Sequence, residues 1–247
     1  MHAMLLLVIG VAATAGYVWH ANRRIDPLID LSLLKIDSFR LSVIAGALMR
    51  VTQGAQPFLL PLMFQIGFGL SAVHSGQLIL ATSLGALLTR SITPRILRRV
   101  GFRRGMLVNG ILSSLGYAVC AFFRPGWPDW LMFALLFCCG AFMSFQFAAY
   151  NTVAYEAVPM SRTSAASSLY TTLQQLMLSV GVCSGALILK LTMAAGHASE
   201  PRLVNFSVAF VIVSLISLAS IRWHLRFADD VGHELSGHRP RVRAALP

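Results

Sequence analysis

Apolar residues run through this chain in seven long blocks separated by short polar segments. The blocks lie at about 3–20, 41–66, 71–90, 105–123, 130–155, 165–193 and 204–223. A hydrocarbon core of about 30 Å takes about 20 helical residues at 1.5 Å of rise each, so every block reads as a membrane-spanning helix, the first being the shortest. When the polar segments are numbered alternately, sixteen lysines and arginines fall on one side. Three, Arg124, Lys190 and Arg202, fall on the other, and Arg50 lies inside a span. The positive-inside rule makes the richer side cytoplasmic. The C-terminus is then cytoplasmic and, with seven crossings, the N-terminus external.

The connection after the first span, Arg23-Arg24-Ile-Asp26-Pro27-Leu-Ile-Asp30-Leu-Ser-Leu-Leu-Lys35, alternates acids with aliphatic residues. Pro27 breaks the preceding helix, and an amphipathic elbow along the membrane surface would turn Leu28, Leu31 and Leu34 toward lipid. The elbow separates one lone helix from six that fall into two triplets, 41–123 and 130–223. Each triplet has an odd number of spans, so the second is inverted relative to the first, a layout shared by many secondary transporters. Gly46-Ala47-Leu48-Met49 and Gly140-Ala141-Phe142-Met143 form a faint internal echo. The expected fold is an all-α polytopic bundle: a lone linker helix over 1–22, an interfacial elbow over 23–40, a six-helix bundle over 41–225 and a disordered cytoplasmic tail over 226–247.

Composition agrees with a membrane protein. Only 12% of residues are charged, where a soluble domain has about 25%, and 56% are hydrophobic. The net charge of +11 raises the question of nucleic acid. Its placement in membrane-flanking loops argues for orientation in the bilayer instead. Cys120, Cys138, Cys139 and Cys183 sit in apolar spans without metal-ligand spacing and read as small buried residues. No HExxH, GxSxG or nucleotide-binding glycine loop is present, so neither an enzyme nor a cofactor is expected. Met1 runs almost directly into the first span with no basic flank and no A-x-A-like site, which fits a signal peptide poorly. The expectation is that an upstream part of the polypeptide precedes it.

Polar residues at membrane depth mark the candidate site. Arg50 lies ten residues beyond Arg40, about 15 Å deep. A central arginine costs at least about 2.5 kcal/mol on insertion scales, so it should face water or protein. Gln53 and Pro57 share its helical face and Gln56 borders it; Pro57 and Pro61 should kink the outer half. The fifth span carries Gln146, Tyr150 and Asn151, with Gln146 and Tyr150 on one face as i, i+4 partners. The sixth carries Tyr170 and Gln174, then Gly181-Val-Cys-Ser-Gly185, whose spacing allows close helix packing. The fourth and seventh spans are mainly aliphatic and should face lipid.

Several segments resemble the fourteen-helix drug:proton antiporters of the major facilitator superfamily. The run Gly54-Ala-Gln-Pro57-Phe-Leu-Leu-Pro61-Leu-Met-Phe-Gln65-Ile-Gly67-Phe-Gly69 is similar to their ninth helix, and the Asp26-Pro27-Leu28-Ile29-Asp30 elbow to the segment before it. Tyr150-Asn151-Thr152-Val153-Ala154 and Ser168-Leu-Tyr170-Thr-Thr-Leu-Gln174-Gln175 also match. The likeness covers essentially the whole chain as helices eight to fourteen. The loop Pro94-Arg95-Ile-Leu-Arg98-Arg99-Val-Gly101-Phe-Arg103-Arg104 resembles the superfamily's cytoplasmic signature G-x-x-x-D-R-x-G-R-R. Arg99, Gly101, Arg103 and Arg104 fit it, whereas Arg98 stands where the acid belongs.

The resemblance implies an exporter of small amphiphilic organic compounds in the bacterial inner membrane, proton-coupled when complete. It would work by alternating access against a missing N-terminal half from the same or a separate chain. Arg50, Gln53, Gln56, Gln146, Tyr150, Asn151 and Gln174 are the cavity candidates, Arg50 binding an anion or carboxylate or pairing with an acid of the other half. Arg98, Arg99, Gly101, Arg103 and Arg104 form the cytoplasmic-gate loop, and Gly181 and Gly185 a packing face. None of the nine acids lies mid-span, so proton coupling has no carrier here. The other readings are a seven-helix scaffold or receptor without transport, and an inactive truncated fragment.

Overall fold

A computed structural model describes residues 30–227 together with 10, 16, 231 and 232. The expected lone helix over 1–22 (apart from helical Gly10 and Gly16), elbow residues 23–29, Leu28 among them, and tail residues 228–230 and 233–247 lie outside the described residues. The rest is all-α. The helices are α1 (Asp37–Leu62), α2 (Ala72–Val100), α3 (Phe102–Cys120), α4 (Asp129–Tyr155), α5 (Thr163–Ala195), α6 (Leu203–Ala219) and the short α7 (Ile221–His224). A π-helical turn, Met63–Gly67, extends α1 beyond Pro61, whose missing N–H interrupts the regular ladder.

Each of the six spans expected after residue 40 is a helix. The largest boundary difference is in α2, which continues ten residues past 90 to Val100 and carries Arg95, Arg98 and Arg99 on its last turns. Hydropathy falls at the first arginine while the helix runs on. Among the described residues, four segments are long and apolar enough to cross a membrane: Ala72–Val100, Asp129–Tyr155, Met160–Ala195 and Leu203–His224. In α1 and α3, Arg50, Gln56, Asn109, Ser113 and Ser114 dilute the apolar content, and all five are buried against neighbouring helices.

Glycines fix how the two three-helix repeats, α1–α3 and α4–α6, fit together. Where α1 crosses α5, a Cβ on Gly54 would lie 2.1 Å from the carbonyl oxygen of Leu178, and one on Gly181 would lie 2.2 Å from that of Val51. Where α2 crosses α4, a Cβ on Gly85 would lie 2.0 Å from the Phe137 oxygen, and one on Gly140 would lie 1.9 Å from that of Thr82. At both crossings each glycine meets the carbonyl three residues before its partner glycine. Gly54 is therefore the counterpart of Gly140, and Gly85 of Gly181, which equates α1 with α4 and α2 with α5. The echo of Gly46–Met49 with Gly140–Met143 sets Gly140 against the wrong turn of α1. Four similar residues do not reveal which glycine touches backbone. Gly185 continues the α1–α5 seam, its Cβ position 3.3 Å from that of Ala55.

The third helix of each repeat closes the bundle: α3 packs on α4 and α6, and α6 on α1. Both expose an aliphatic face, Val108, Ile111 and Leu115 on α3 and Val204, Val211 and Leu215 on α6. Their inner faces form a polar seam, with Ser114 Oγ 2.9 Å from Ser217 Oγ and Thr52 Oγ1 donating to the Val213 carbonyl at 3.3 Å. The cysteines divide. Cys120 and Cys139 are buried, whereas Cys138 and Cys183 are exposed, contrary to the expectation that all four are interior. A thiol on an apolar exterior is as acceptable to acyl chains as one in the core.

The described end of the elbow is a 3₁₀ turn, Leu31–Lys35, capped by the Asp30 carboxylate, which accepts from the Ser32 N–H at 2.9 Å. Arg162, between α4 and α5, donates to both Asp30 and Ser32. Burial works to raise the Asp30 pKa, but the hydrogen bonds from Ser32 and Arg162 outweigh it and hold the carboxyl below its ordinary value. Leu31 is exposed as expected, while Leu34 packs partly against the bundle. The anchor is Leu33, fully buried with Phe39, Leu169 and Tyr170. A 3₁₀ turn repeats every three residues, so it presents Leu33 on a different side from Leu31 and Leu34.

The crossings predict sharply graded glycine substitutions. Gly140→Ala and Gly54→Ala force Cβ atoms onto backbone and should cost about 1–3 kcal/mol or more. Gly76→Ala on α2, with nothing within 4 Å of its Cβ position, should be neutral or stabilising by up to about 1 kcal/mol. Membrane yield and unfolding in detergent measure the difference; equal effects at the three positions would contradict the close crossings.

Candidate functional site

The crossings leave a chamber of about 320 Å³ between α1, α2 and α4. Arg50, Gln53 and Gln56 line it from α1, Thr82, Ser83 and Arg90 from α2, and Met143, Ser144 and Phe147 from α4. Two smaller recesses adjoin it. One is shared by Arg50, Gly46, Tyr170 and Gln174, the other by Arg50, Gln53, Phe147 and Tyr150. Arg50 lines all three. Its side chain is 8% exposed, and its guanidinium carbon sits 4.1 Å from the Phe147 ring centroid. Among the described residues no carboxylate pairs with it. A cation held by an aromatic face and aimed at open space can receive an anionic or strongly polar group.

The site residues expected from the sequence separate into two groups. Arg50, Gln53 and Gln56 meet in the main chamber, and Tyr150 and Gln174 border its recesses. Gln56 Oε1 also accepts from the Tyr117 hydroxyl at 3.4 Å. Asn151 lines none of these spaces; it donates to the Phe147 carbonyl at 2.8 Å and accepts from Gln174 at 3.4 Å. Gln146 is fully buried and lies away from the chamber. It shares a face with Tyr150, but that face is turned toward α3 and α7. The chamber-facing stripe of α4 is Gly140, Met143, Ser144 and Phe147, mostly apolar, so a search for large polar residues at depth passes it over.

Gln146 belongs to an interior polar cluster. Asn109 Nδ2 donates to Gln146 Oε1 and to the Phe142 carbonyl, both at 2.8 Å. The Gln146 amide nitrogen lies 2.9 Å and the Tyr150 hydroxyl 2.5 Å from His224 Nε2. An amide N–H only donates, so Nε2 accepts and the neutral ring carries its proton on Nδ1. That Nδ1 is buried without a partner among the described residues. The imidazole also stacks on Tyr150 at 5.6 Å between centroids. Tyr150 therefore joins the chamber on one side to His224 and the C-terminal end of the bundle on the other. In the sequence His224 stands between Arg222 and Arg226 and reads as part of a charged flank, which hides its role.

The basic loop between α2 and α3 has its turn at Gly101, where φ is +81°. That value favours glycine. Arg98, in the position of the missing acid, donates to the Pro94 carbonyl of its own helix at 3.4 Å. Arg103 donates to the Leu225 carbonyl at 3.1 Å, a cation at the end of the last helix. Arg99 and Arg104 are exposed. Past α7, Phe227, expected in the tail, is buried, and the Gly232 N–H donates to Glu156 at 2.7 Å. Among the described residues no three His, Cys, Asp or Glu side chains gather in a way that could hold a metal.

A family model described as the Major Facilitator Superfamily matches residues 3–182. A protein of Serratia proteamaculans named "Putative multidrug resistance protein MdtD" is 33% identical over 74% of this chain and 39% of its own length. A protein of the same name from Pectobacterium carotovorum is 28% identical over 92% of this chain and 49% of its own length. The "Probable transport protein HsrA" of Haemophilus influenzae is 29% identical over 89% of this chain and 47% of its own length. The chain spans about half the length of the curated relatives it matches.

The cluster predicts strong coupling between Tyr150 and His224. His224→Phe keeps the ring but removes the one Nε2 lone pair on which the Gln146 amide and the Tyr150 hydroxyl converge, stranding a buried donor at about 1–3 kcal/mol. With the hydroxyl already gone in Tyr150→Phe, the same change should cost less, giving an interaction energy of about 0.5–3 kcal/mol in a double-mutant cycle. Unfolding in detergent measures it, and strict additivity would show that the two side chains do not interact.

Proposed function

The chain belongs to the Major Facilitator Superfamily, a family of membrane transporters and not of enzymes, and from that premise we propose that it supplies half of an exporter of small amphiphilic organic compounds. In this proposal the bundle 41–225 corresponds to helices nine to fourteen of a fourteen-helix antiporter, with the linker helix as the eighth. It rocks against a second bundle, from the same polypeptide or a separate one, around the Arg50 chamber. Its length relative to the curated relatives supports this, as do the names of those relatives, which describe multidrug resistance or transport.

The observation that carries the proposal is Arg50, which lines three neighbouring spaces and has no carboxylate partner among the described residues. It takes an anionic group of the substrate, or an acid of the facing bundle during the cycle. Gln53, Gln56 and Gln174 supply hydrogen bonds, while Phe147, Met143 and Tyr150 take apolar parts. Asn151 and Gln146 act behind that wall, through Gln174 and Tyr150. The turn Arg98–Arg104 acts as the cytoplasmic gate through the Arg103 contact with the last helix. The protein lies in the bacterial inner membrane with its C-terminus in the cytoplasm, which the basic asymmetry supports. Proton coupling belongs to the whole exporter.

Two measurements test this reading. Arg50→Gln in the complete transporter strands no described acceptor, so membrane level and melting should stay within about 1 kcal/mol of wild type while export is lost. Arg50→Lys should keep part of the activity if charge alone is needed and little if planar bidentate contact is needed. Normal export with lowered stability would make Arg50 a packing residue. For orientation, single cysteines at Arg104 and Ser199 should be labelled from the cytoplasm and from outside, respectively; the reverse pattern would refute the topology.

A further inference from the structure

A second space of about 330 Å³, unrelated to Arg50, opens on the outer surface of the bundle between α2, α3 and α4. Its walls are aliphatic and aromatic: Ile92, Ile96 and Val100 on α2, Val108 and Leu112 on α3, Phe145 on α4. The first five of these are more than a third exposed, which suits a face washed by lipid. On α2 the lining runs from Thr89 to Val100, a rise of about 16 Å along the helix. That length is about half of a 30 Å hydrocarbon core, and it begins where the expected span ends, at the cytoplasmic edge of the membrane. The groove exists because α3 leans on α4 and α6 and barely meets α2 after the Gly101 turn.

The mouth of the groove is the basic turn. Arg99 follows Ile96 by three residues and Ile92 by seven, so it continues the α2 wall. Arg104 precedes Val108 by four and continues the α3 wall. Both are exposed. The sequence contains no acidic residue from Ala72 to Pro128, and among the described residues no carboxylate pairs with Arg99 or Arg104. An apolar trough about 16 Å long, ending at two arginines that no described carboxylate neutralises, complements a molecule with an acyl chain and a phosphate at its end. We propose that this groove is a binding site for an acidic glycerophospholipid, one acyl chain lying between α2, α3 and α4 and the phosphate at Arg99 and Arg104. A net-negative headgroup is favoured over a zwitterionic one because both arginines at the mouth repel the extra cation of the latter. The proposal is independent of the transported substrate.

The test uses the purified full chain in mild detergent, offered phosphatidylglycerol or phosphatidylcholine with matched acyl chains. Bound lipid is counted by native mass spectrometry, and melting is followed in parallel. Wild type should retain one phosphatidylglycerol with a preference of about tenfold over phosphatidylcholine, and phosphatidylglycerol should raise the melting temperature. Val108→Trp fills the trough from an exposed position and should abolish both effects. Leu191→Trp, exposed on α5 away from the groove, should change neither. Arg99→Gln with Arg104→Gln alters only exposed side chains and should bring the two lipids to near parity while a lipid is still retained. Equal retention of both lipids by wild type would overturn the proposal. So would an undiminished preference in the double arginine variant, or unchanged retention in Val108→Trp.

Discussion

Backbone-to-backbone contact at four glycines sets the geometry of this bundle. Lipid tails are as apolar as leucine, so helices in a membrane gain little from hiding aliphatic side chains against one another. They gain from close packing, and small residues permit it. Gly54 with Gly181 and Gly85 with Gly140 bring α1 onto α5 and α2 onto α4 at distances that leave no room for a methyl group. Arg50 lies one turn before Gly54, and Phe147 two turns after Gly140. The crossings thus decide where the guanidinium and the ring meet, and they hold α1, α2 and α4 around the chamber.

The same crossings explain what could be read from the sequence. Hydropathy located the helices because the bilayer imposes a length and an apolar content on each. The charge asymmetry needed only loop positions. Gly181 and Gly185 were legible as a packing face, although the reciprocal partner Gly54 appeared only as part of a longer resembling run. Side-chain direction was the weak point. Gln146 is as polar as Gln53 and lies at similar depth, yet one faces α3 and α7 and the other the chamber. Hydropathy contains no phase information for a helix that is apolar all round, and α4 is such a helix. The register of the internal repeat failed for a related reason. It depends on which glycine meets a carbonyl, a fact of pairing between helices and not of either helix alone.

His224 shows how a polar network compensates for weak hydrophobic discrimination inside a membrane bundle. Asn109, Gln146, Tyr150 and His224 come from α3, α4 and α7, and their hydrogen bonds tie the last helix to the chamber wall. Burying such groups is costly unless they are paired, so the cluster specifies one arrangement of three helices where aliphatic contacts would tolerate several. Arg103 at Leu225, buried Phe227 and the Gly232 contact to Glu156 extend that attachment along the chain. Leu225, Phe227 and Gly232, beyond the last span, are therefore attached to the bundle, which the polar composition around them conceals.

Charge placement supplies the remaining constraint. The bundle carries Arg50 and Arg90 on its chamber, and no acid among the described residues lines that space. A guanidinium at membrane depth is tolerated where it has a ring beneath it and polar surroundings ahead of it. Phe147 and the glutamines meet that need locally. The chamber wall is nevertheless left with positive potential, and in a low dielectric such potential reaches further than in water. Whatever closes the chamber from the opposite side is therefore favoured in proportion to the negative charge it presents. A neutral apolar group would have to bury the arginine without compensation, which costs more than its own burial returns. The helix crossings place the arginine, and the arginine in turn sets the sign of the surface that can cover it.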